Sequence, residues 1–181
     1  MFVGITGGIA VYKVATVVSR LAQAGVNVHV AMTPGACQFV TPLTFQALSA
    51  SAVYTSPWEH IESKDPQHIS LADRCDLALI APCTMDCMAR LAMGRTDDVV
   101  TLISSAIDRR KIPFLLAPAM NTVMWEQPST QRNARTLIED GFTLIGPGSG
   151  WQACRHVGTG RMSEPEEILQ AIVSHARKPQ A

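Results

Sequence analysis

Four short, almost uninterrupted apolar runs constrain this chain most: "FVGIT" from Phe2, "VNVHVAM" from Val26, "DLALIAP" from Asp76 and "IPFLLAP" from Ile112. A strand that alternates polar and apolar residues can leave one face in water. A strand that is apolar at nearly every position must be covered on both faces. The intervening stretches are long enough for crossover helices, and helical patterns run over 9–24, 36–48, 84–93, 97–107, 129–140 and 164–176. That alternation predicts a parallel sheet between two helical layers. The expected fold class is α/β, a three-layer doubly wound parallel sheet of the Rossmann-like or flavodoxin-like kind. A weaker run, "FTLIG" from Phe142, adds a fifth strand. Gly25 in "GVN" and Gly141 in "DGF" follow two of the helices and suit left-handed C-caps.

A length of 181 residues fits one domain over 1–181, and 47% hydrophobic against 6% aromatic residues favours an aliphatic interior. Lys plus Arg equals Asp plus Glu at 15 each, and the basic run "DRRK" at 108–111 is short, so neither nucleic acid nor a lipid surface is the expected partner. A small molecule is. No apolar run approaches the ~18 residues of a membrane span, and the chain enters its first strand with no charged leader. Five cysteines at irregular spacing suit reduced thiols and a cytoplasmic location better than a disulfide framework. Cys83 and Cys87 stand four apart, but no second pair completes a tetrahedral site. They read as small packing residues, and no metal is expected.

In open parallel sheets, ligands sit beyond the carboxyl ends of the strands. After the first strand comes "TGGIAVYK", where Gly7 and Gly8 permit a tight turn and close approach of backbone N–H groups to an anion. Glycine that merely ends the strand is an equal reading. After the second comes Thr33 in "MTPGA", and after the third come Thr84 and Asp86 in "APCTMD". Each alone reads as a helix N-cap; together at one sheet edge they point to a phosphate-bearing cofactor. After the fourth comes "APAMNTVMW", where Asn121 is either the cap of a short helix or a donor to a substrate carboxylate. His68, at a helix start in "PQHISLAD", is either structural or an acid–base group. His29, His60 and His175 have no supporting context. The segment 146–160, rich in glycine and carrying Cys154, is the longest without helical or strand periodicity and reads as a lid loop.

On these residues the chain resembles the flavin-containing cysteine decarboxylases, essentially from end to end. "PAMNTVMW" matches that family's P-x-M-N-x-x-M-W motif, and "ACRHVGTGRM" is similar to its substrate clamp, A-C-G-x-x-G-x-G-R-M. "GITGGIAVYK", "MTPGACQFVTPLTFQALS", "HISLAD" and "LIAPCTMDCMARLAMGRTDD" follow in the family's order. The resemblance implies FMN, bound between subunits of a homotrimer, with its phosphate near Gly7, Gly8 and Ile9 and further contacts from Thr33, Thr84, Asp86 and Ala117. It implies decarboxylation of 4′-phosphopantothenoylcysteine to 4′-phosphopantetheine in coenzyme A biosynthesis. In that reading His68, Asn121 and Cys154 are catalytic, and Met120, Asn121 and Arg161 bind substrate. Bacterial members are commonly fused to a synthetase, which makes a synthetase, fused or separate, the implied partner. The chain departs from the pattern in three places: Asp86 stands for Asn, Gln152 for Leu and Arg155 for Gly. Two other readings are an oxidative decarboxylase of a C-terminal peptide cysteine and a non-catalytic flavin-binding regulatory subunit. Cys154 favours the first reading, because the peptide enzymes stop at the enethiol and have no need of an acid there.

Overall fold

A computed structural model describes residues 1–59 and 66–176; His60 falls outside them. Six parallel strands form one sheet in the order β3-β2-β1-β4-β5-β6. They are β1 (Phe2–Ile5), β2 (His29–Met32), β3 (Val53–Tyr54), β4 (Ala78–Cys83), β5 (Phe114–Pro118) and β6 (Thr143–Leu144). Every residue of β1, β4 and β5 is buried, as two-sided cover demands. Side chains of a strand alternate between faces, and the core divides accordingly. Val3, Ile5, Leu79, Ala81, Leu115 and Ala117 face one layer, made by α1 (Val11–Gln23), α3 (Pro42–Ser49) and α9 (Pro165–Ala176). Phe2, Ala78, Ile80, Phe114 and Leu116 face the other, made by α4 (Gln67–Asp73), α5 (Met85–Ala92), α6 (Val99–Ala106) and α8 (Pro128–Glu139).

The helices start and stop for local reasons. Gly25 at φ 80° and Gly141 at φ 92° end α1 and α8, with Val26 N–H reaching Leu21 O and Phe142 N–H reaching Leu137 O. These are the left-handed caps expected at both positions. Asp98 opens α6 by accepting from the N–H groups of Val100 and Thr101, both at 2.9 Å. The expected helix over 36–48 is instead two: α2 (Pro34–Cys37) and α3. Pro42 has no N–H to donate and holds Thr41 extended at ψ 149°, so a continuous helix cannot pass. Pro128 separates α7 (Thr122–Glu126) from α8 in the same way, with Gln127 at ψ 135°.

The glycine-rich stretch is not an unstructured loop. It forms a separate two-stranded antiparallel sheet, β7 (Gly148–Trp151) and β8 (Val157–Arg161), rooted at the carboxyl edge of the main sheet. Its glycines serve close packing. A Cβ on Gly160 would lie 2.5 Å from Met120 O, and one on Gly158 would lie 2.2 Å from Thr122 Oγ1. Met120 N–H donates to Gly160 O at 2.9 Å across this contact. The hairpin is thereby pressed against the "AMNT" segment that follows β5.

Candidate active site

A cleft of about 1040 Å³ opens beyond the carboxyl ends of the strands, near the β1–β4 boundary where the strand order changes direction. Its floor is the turn after β1. Gly7 packs so closely on the turn after β2 that a Cβ there would sit 2.9 Å from the Gly35 carbonyl carbon. Gly8 N–H is used by Thr6 O at 2.9 Å, whereas the N–H groups of Gly7 and Ile9 meet no acceptor among the described residues. Two free donors ahead of a helix make an anion cradle.

Thr33, Thr84 and Asn121 turn out to be caps and cleft-lining residues at once. Thr33 Oγ1 accepts from Ala36 N–H at 3.3 Å, Thr84 Oγ1 from Cys87 N–H at 3.3 Å and Asn121 Oδ1 from Met124 N–H at 2.8 Å. Since a backbone N–H can only donate, it fixes the Asn121 amide with Oδ1 inward. Nδ2 is then the group that Asn121 can offer to a ligand. Thr6 Oγ1 donates to Pro82 O at 2.6 Å and accepts from Thr84 N–H at 3.1 Å, joining the ends of β1 and β4 beneath the cleft.

Asp86 lines the cleft, and its Oδ2 is held by Arg90 Nε at 2.7 Å. Arg90 also reaches Asp97 at 2.7 Å and Asp98 at 3.8 Å, and its hydrogen bonds to Asp97 first and then Asp86 keep the guanidinium firmly protonated. The extra negative charge at position 86 is therefore met within its own helix. Lys13 is a residue that sequence reasoning passed over. Its side chain is only 9% exposed and its Nζ lies 2.9 Å from Glu164 Oε1. Arg161 closes on the same carboxylate oxygen. A lysine so enclosed must be paired, and its hydrogen bond holds the Glu164 carboxyl below the ordinary range. The signal in the sequence was a charge at position 13, on the apolar stripe of α1 that carries Val14, Val17 and Leu21.

The hairpin brings Cys154 to the cleft at its tip. Arg155 N–H donates to Gln152 O at 2.9 Å and Gln152 N–H to His156 O at 2.8 Å, closing a three-residue loop of Ala153, Cys154 and Arg155. The third residue of such a loop takes the left-handed conformation, and Arg155 does so at φ 65°. This is the position where the family pattern has glycine. Arg155→Gly is expected to stabilise the protein by about 0.5–1 kcal/mol, the relieved strain exceeding the added freedom of the unfolded chain. A rise in the urea midpoint at unchanged slope would show it.

Two expected site residues lie elsewhere. Ala117 is wholly buried in β5 and faces the α1, α3 and α9 layer, because the alternation along the strand turns its methyl group into the core. Ala119 and Met120, just beyond the strand, line the cleft instead. His68 sits in the first turn of α4, partly exposed, and does not line the cleft of its own chain. Gly7, Gly8, Ile9, Thr33, Thr84, Asp86, Met120, Asn121, Cys154 and Arg161 all do.

Known proteins resemble this chain in sequence and fold. The family model described as Flavoprotein matches residues 1–177. The coenzyme A biosynthesis bifunctional protein CoaBC of Bacillus subtilis is 44% identical over 171 residues, which is 94% of this chain and 41% of that protein. The chain thus spans about two fifths of the length of the curated relatives it matches. A solved PPC decarboxylase variant complexed with pantothenoylaminoethenethiol is 29% identical with a TM-score of 0.86, covering 96% of this chain and 95% of that one. The FMN binding protein AtHal3 is 30% identical with a TM-score of 0.82, covering 96% and 94%. With its sheet order, its cleft and a match over nearly its whole length in agreement, this chain belongs to the flavoprotein family.

Proposed function

We propose that the protein is an FMN-dependent decarboxylase that converts 4′-phosphopantothenoylcysteine to 4′-phosphopantetheine in coenzyme A biosynthesis. The observation that carries this reading is the meeting of Asn121 and Cys154 on two walls of one cleft above a floor of free backbone donors. The residues present fit FMN. Gly7 and Ile9 N–H suit its phosphate, Thr33 and Thr84 stand beside them, and Met120 and Met124 offer apolar surface to a flat ring. When bound, FMN supplies the electron sink that a cysteine carboxylate lacks, taking a hydride equivalent from the sulfur-bearing carbon and later returning it.

The chain's own residues orient the substrate and move protons. Asn121 Nδ2 holds the carboxylate so that its bond to carbon aligns with the acceptor. Loss of CO2 leaves an enethiolate, and Cys154 Sγ–H delivers a proton to its carbon, the resulting thiolate regaining a proton from solvent. Arg161, already paired with Glu164, stands where the polar arm of the substrate enters.

The working form in this reading is a cytoplasmic homotrimer, served by a synthetase that makes its substrate. Two features support the assembly. His68, in the first turn of α4, lies outside the cleft of its own chain, which suits delivery to a neighbouring copy as base or orienting group. The rim also leaves Ile9 and Tyr12 55% and 61% exposed, apolar surface that a second copy would cover.

FMN-loaded protein given 4′-phosphopantothenoylcysteine is expected to release CO2 and form 4′-phosphopantetheine in equal amounts. Turnover of a peptide ending in cysteine, with none of the phosphopantothenoyl substrate, would replace this reading with the peptide enzyme. Flavin retention without turnover of either would replace it with a binding protein.

A further inference from the structure

The tip of the hairpin is exposed except at one residue, and that residue is polar: Gln152, at 7% exposure. A buried carboxamide offers two donor hydrogens and an acceptor oxygen with two lone pairs, and any left unmet is costly. Here all are met. Oε1 accepts from Thr122 N–H at 3.3 Å and from the Cys154 thiol at 3.5 Å. Nε2 donates to Gly158 O at 3.3 Å and Thr159 O at 3.1 Å. One side chain thus ties together the first residue of α7, strand β8 and the thiol. Thr122 follows directly on Asn121, so the two residues that must address one substrate are joined through a single amide.

We propose that Gln152 is the positioning residue of this site, holding the Cys154 thiol in register with Asn121. The inference rests on the function proposed above. A leucine at this position would fill the same volume but would give the thiol no acceptor, and it would leave Thr122 N–H and the two β8 carbonyls without this partner. In this chain the direction of the thiol is set by a hydrogen bond rather than by packing alone. When the proton leaves Sγ for the substrate carbon, Oε1 gives up that bond and keeps its bond to Thr122, so the tip stays anchored through the transfer.

The test compares the FMN-loaded parent with Gln152→Leu and Gln152→Glu. In the leucine variant the ratio of 4′-phosphopantetheine to CO2 is expected to fall about 10- to 100-fold, the scale of a misplacement of about 1 Å. Enethiol would accumulate with the flavin left reduced, seen as loss of its visible absorbance. The glutamate variant keeps both acceptor bonds but opposes its second oxygen to two carbonyls, and its ratio should lie between those of the leucine variant and the parent. Equal falls in CO2 and product, or an unchanged ratio, would overturn the proposal.

A second measurement needs no turnover: the rate at which iodoacetamide modifies Cys154, read on that peptide by mass. It is expected to rise at least about threefold in Gln152→Leu as the tip is released, while FMN retention and thermal midpoint report that the sheet is intact. An unchanged rate in a folded variant would overturn the tether. Failure of the parent to turn over would instead count against the function.

Discussion

Cys154→Ser is expected to yield an enzyme that still releases CO2 but strands its product one reduction short. Serine occupies the same turn with the same backbone, so the cleft and its donors persist. Its hydroxyl is a far weaker acid than a thiol, however, and cannot protonate an enethiolate at a useful rate. Positioned proton transfer contributes roughly 10²- to 10⁴-fold, and 4′-phosphopantetheine formation should fall by a factor in that range. Single-turnover mixing would show enethiol and reduced flavin appearing together and persisting. Formation of 4′-phosphopantetheine at the parent rate would remove Cys154 from the mechanism.

Gly158→Ala should have the second-largest effect, through shape rather than chemistry. The new methyl group would lie 2.2 Å from Thr122 Oγ1 and 3.1 Å from Thr122 Cγ2, with no flexible chain end to swing aside. Overpacking of this kind costs about 1–3 kcal/mol. The local outcome is the greater one: β8 must lift from α7, which parts Cys154 from Asn121 and should slow product formation about 100-fold. Thr122 Oγ1 is buried and has no hydrogen-bond partner among the described residues, so Thr122→Ala alone should cost little or even stabilise. Combined with Gly158→Ala it removes the two nearest atoms, leaving Thr122 Cβ at 3.2 Å, and should recover most of the loss. Urea unfolding and turnover of the three variants would check this, and a silent Gly158→Ala would contradict the close approach.

What could be read without coordinates was what neighbouring residues decide. The central strands, the C-caps at Gly25 and Gly141, and the gathering of Thr33, Thr84 and Asn121 at one sheet edge all follow from local patterns. The alternative readings of those polar residues were not rivals, since each caps a helix with one group and faces the cleft. Features set by contacts across the fold were harder to see. The β7–β8 hairpin has no apolar alternation because its glycines answer to Met120 and Thr122, some 40 positions away. The burial of Ala117 depends on which face of the sheet an alanine takes, and its neighbours on both sides are apolar. His68 belongs to the same class of problem, since whether the first turn of α4 meets the cleft is set by the fold and not by its neighbours in the sequence. Pro42 is the exception, a purely local signal that breaks the helix over 36–48.

The packing of the turn after β1 against the turn after β2 also bears on how this floor can drift over generations. A Cβ at position 7 would strike the Gly35 carbonyl carbon at 2.9 Å, but a Cβ at position 35 would meet Gly7 Cα at 3.4 Å, an ordinary contact. The two glycines are in mutual contact yet unequal. Alanine can enter at 35 while the floor keeps its shape, whereas at 7 the backbone opposite would have to move first. Descendants of this sequence should therefore lose their second glycine long before their first.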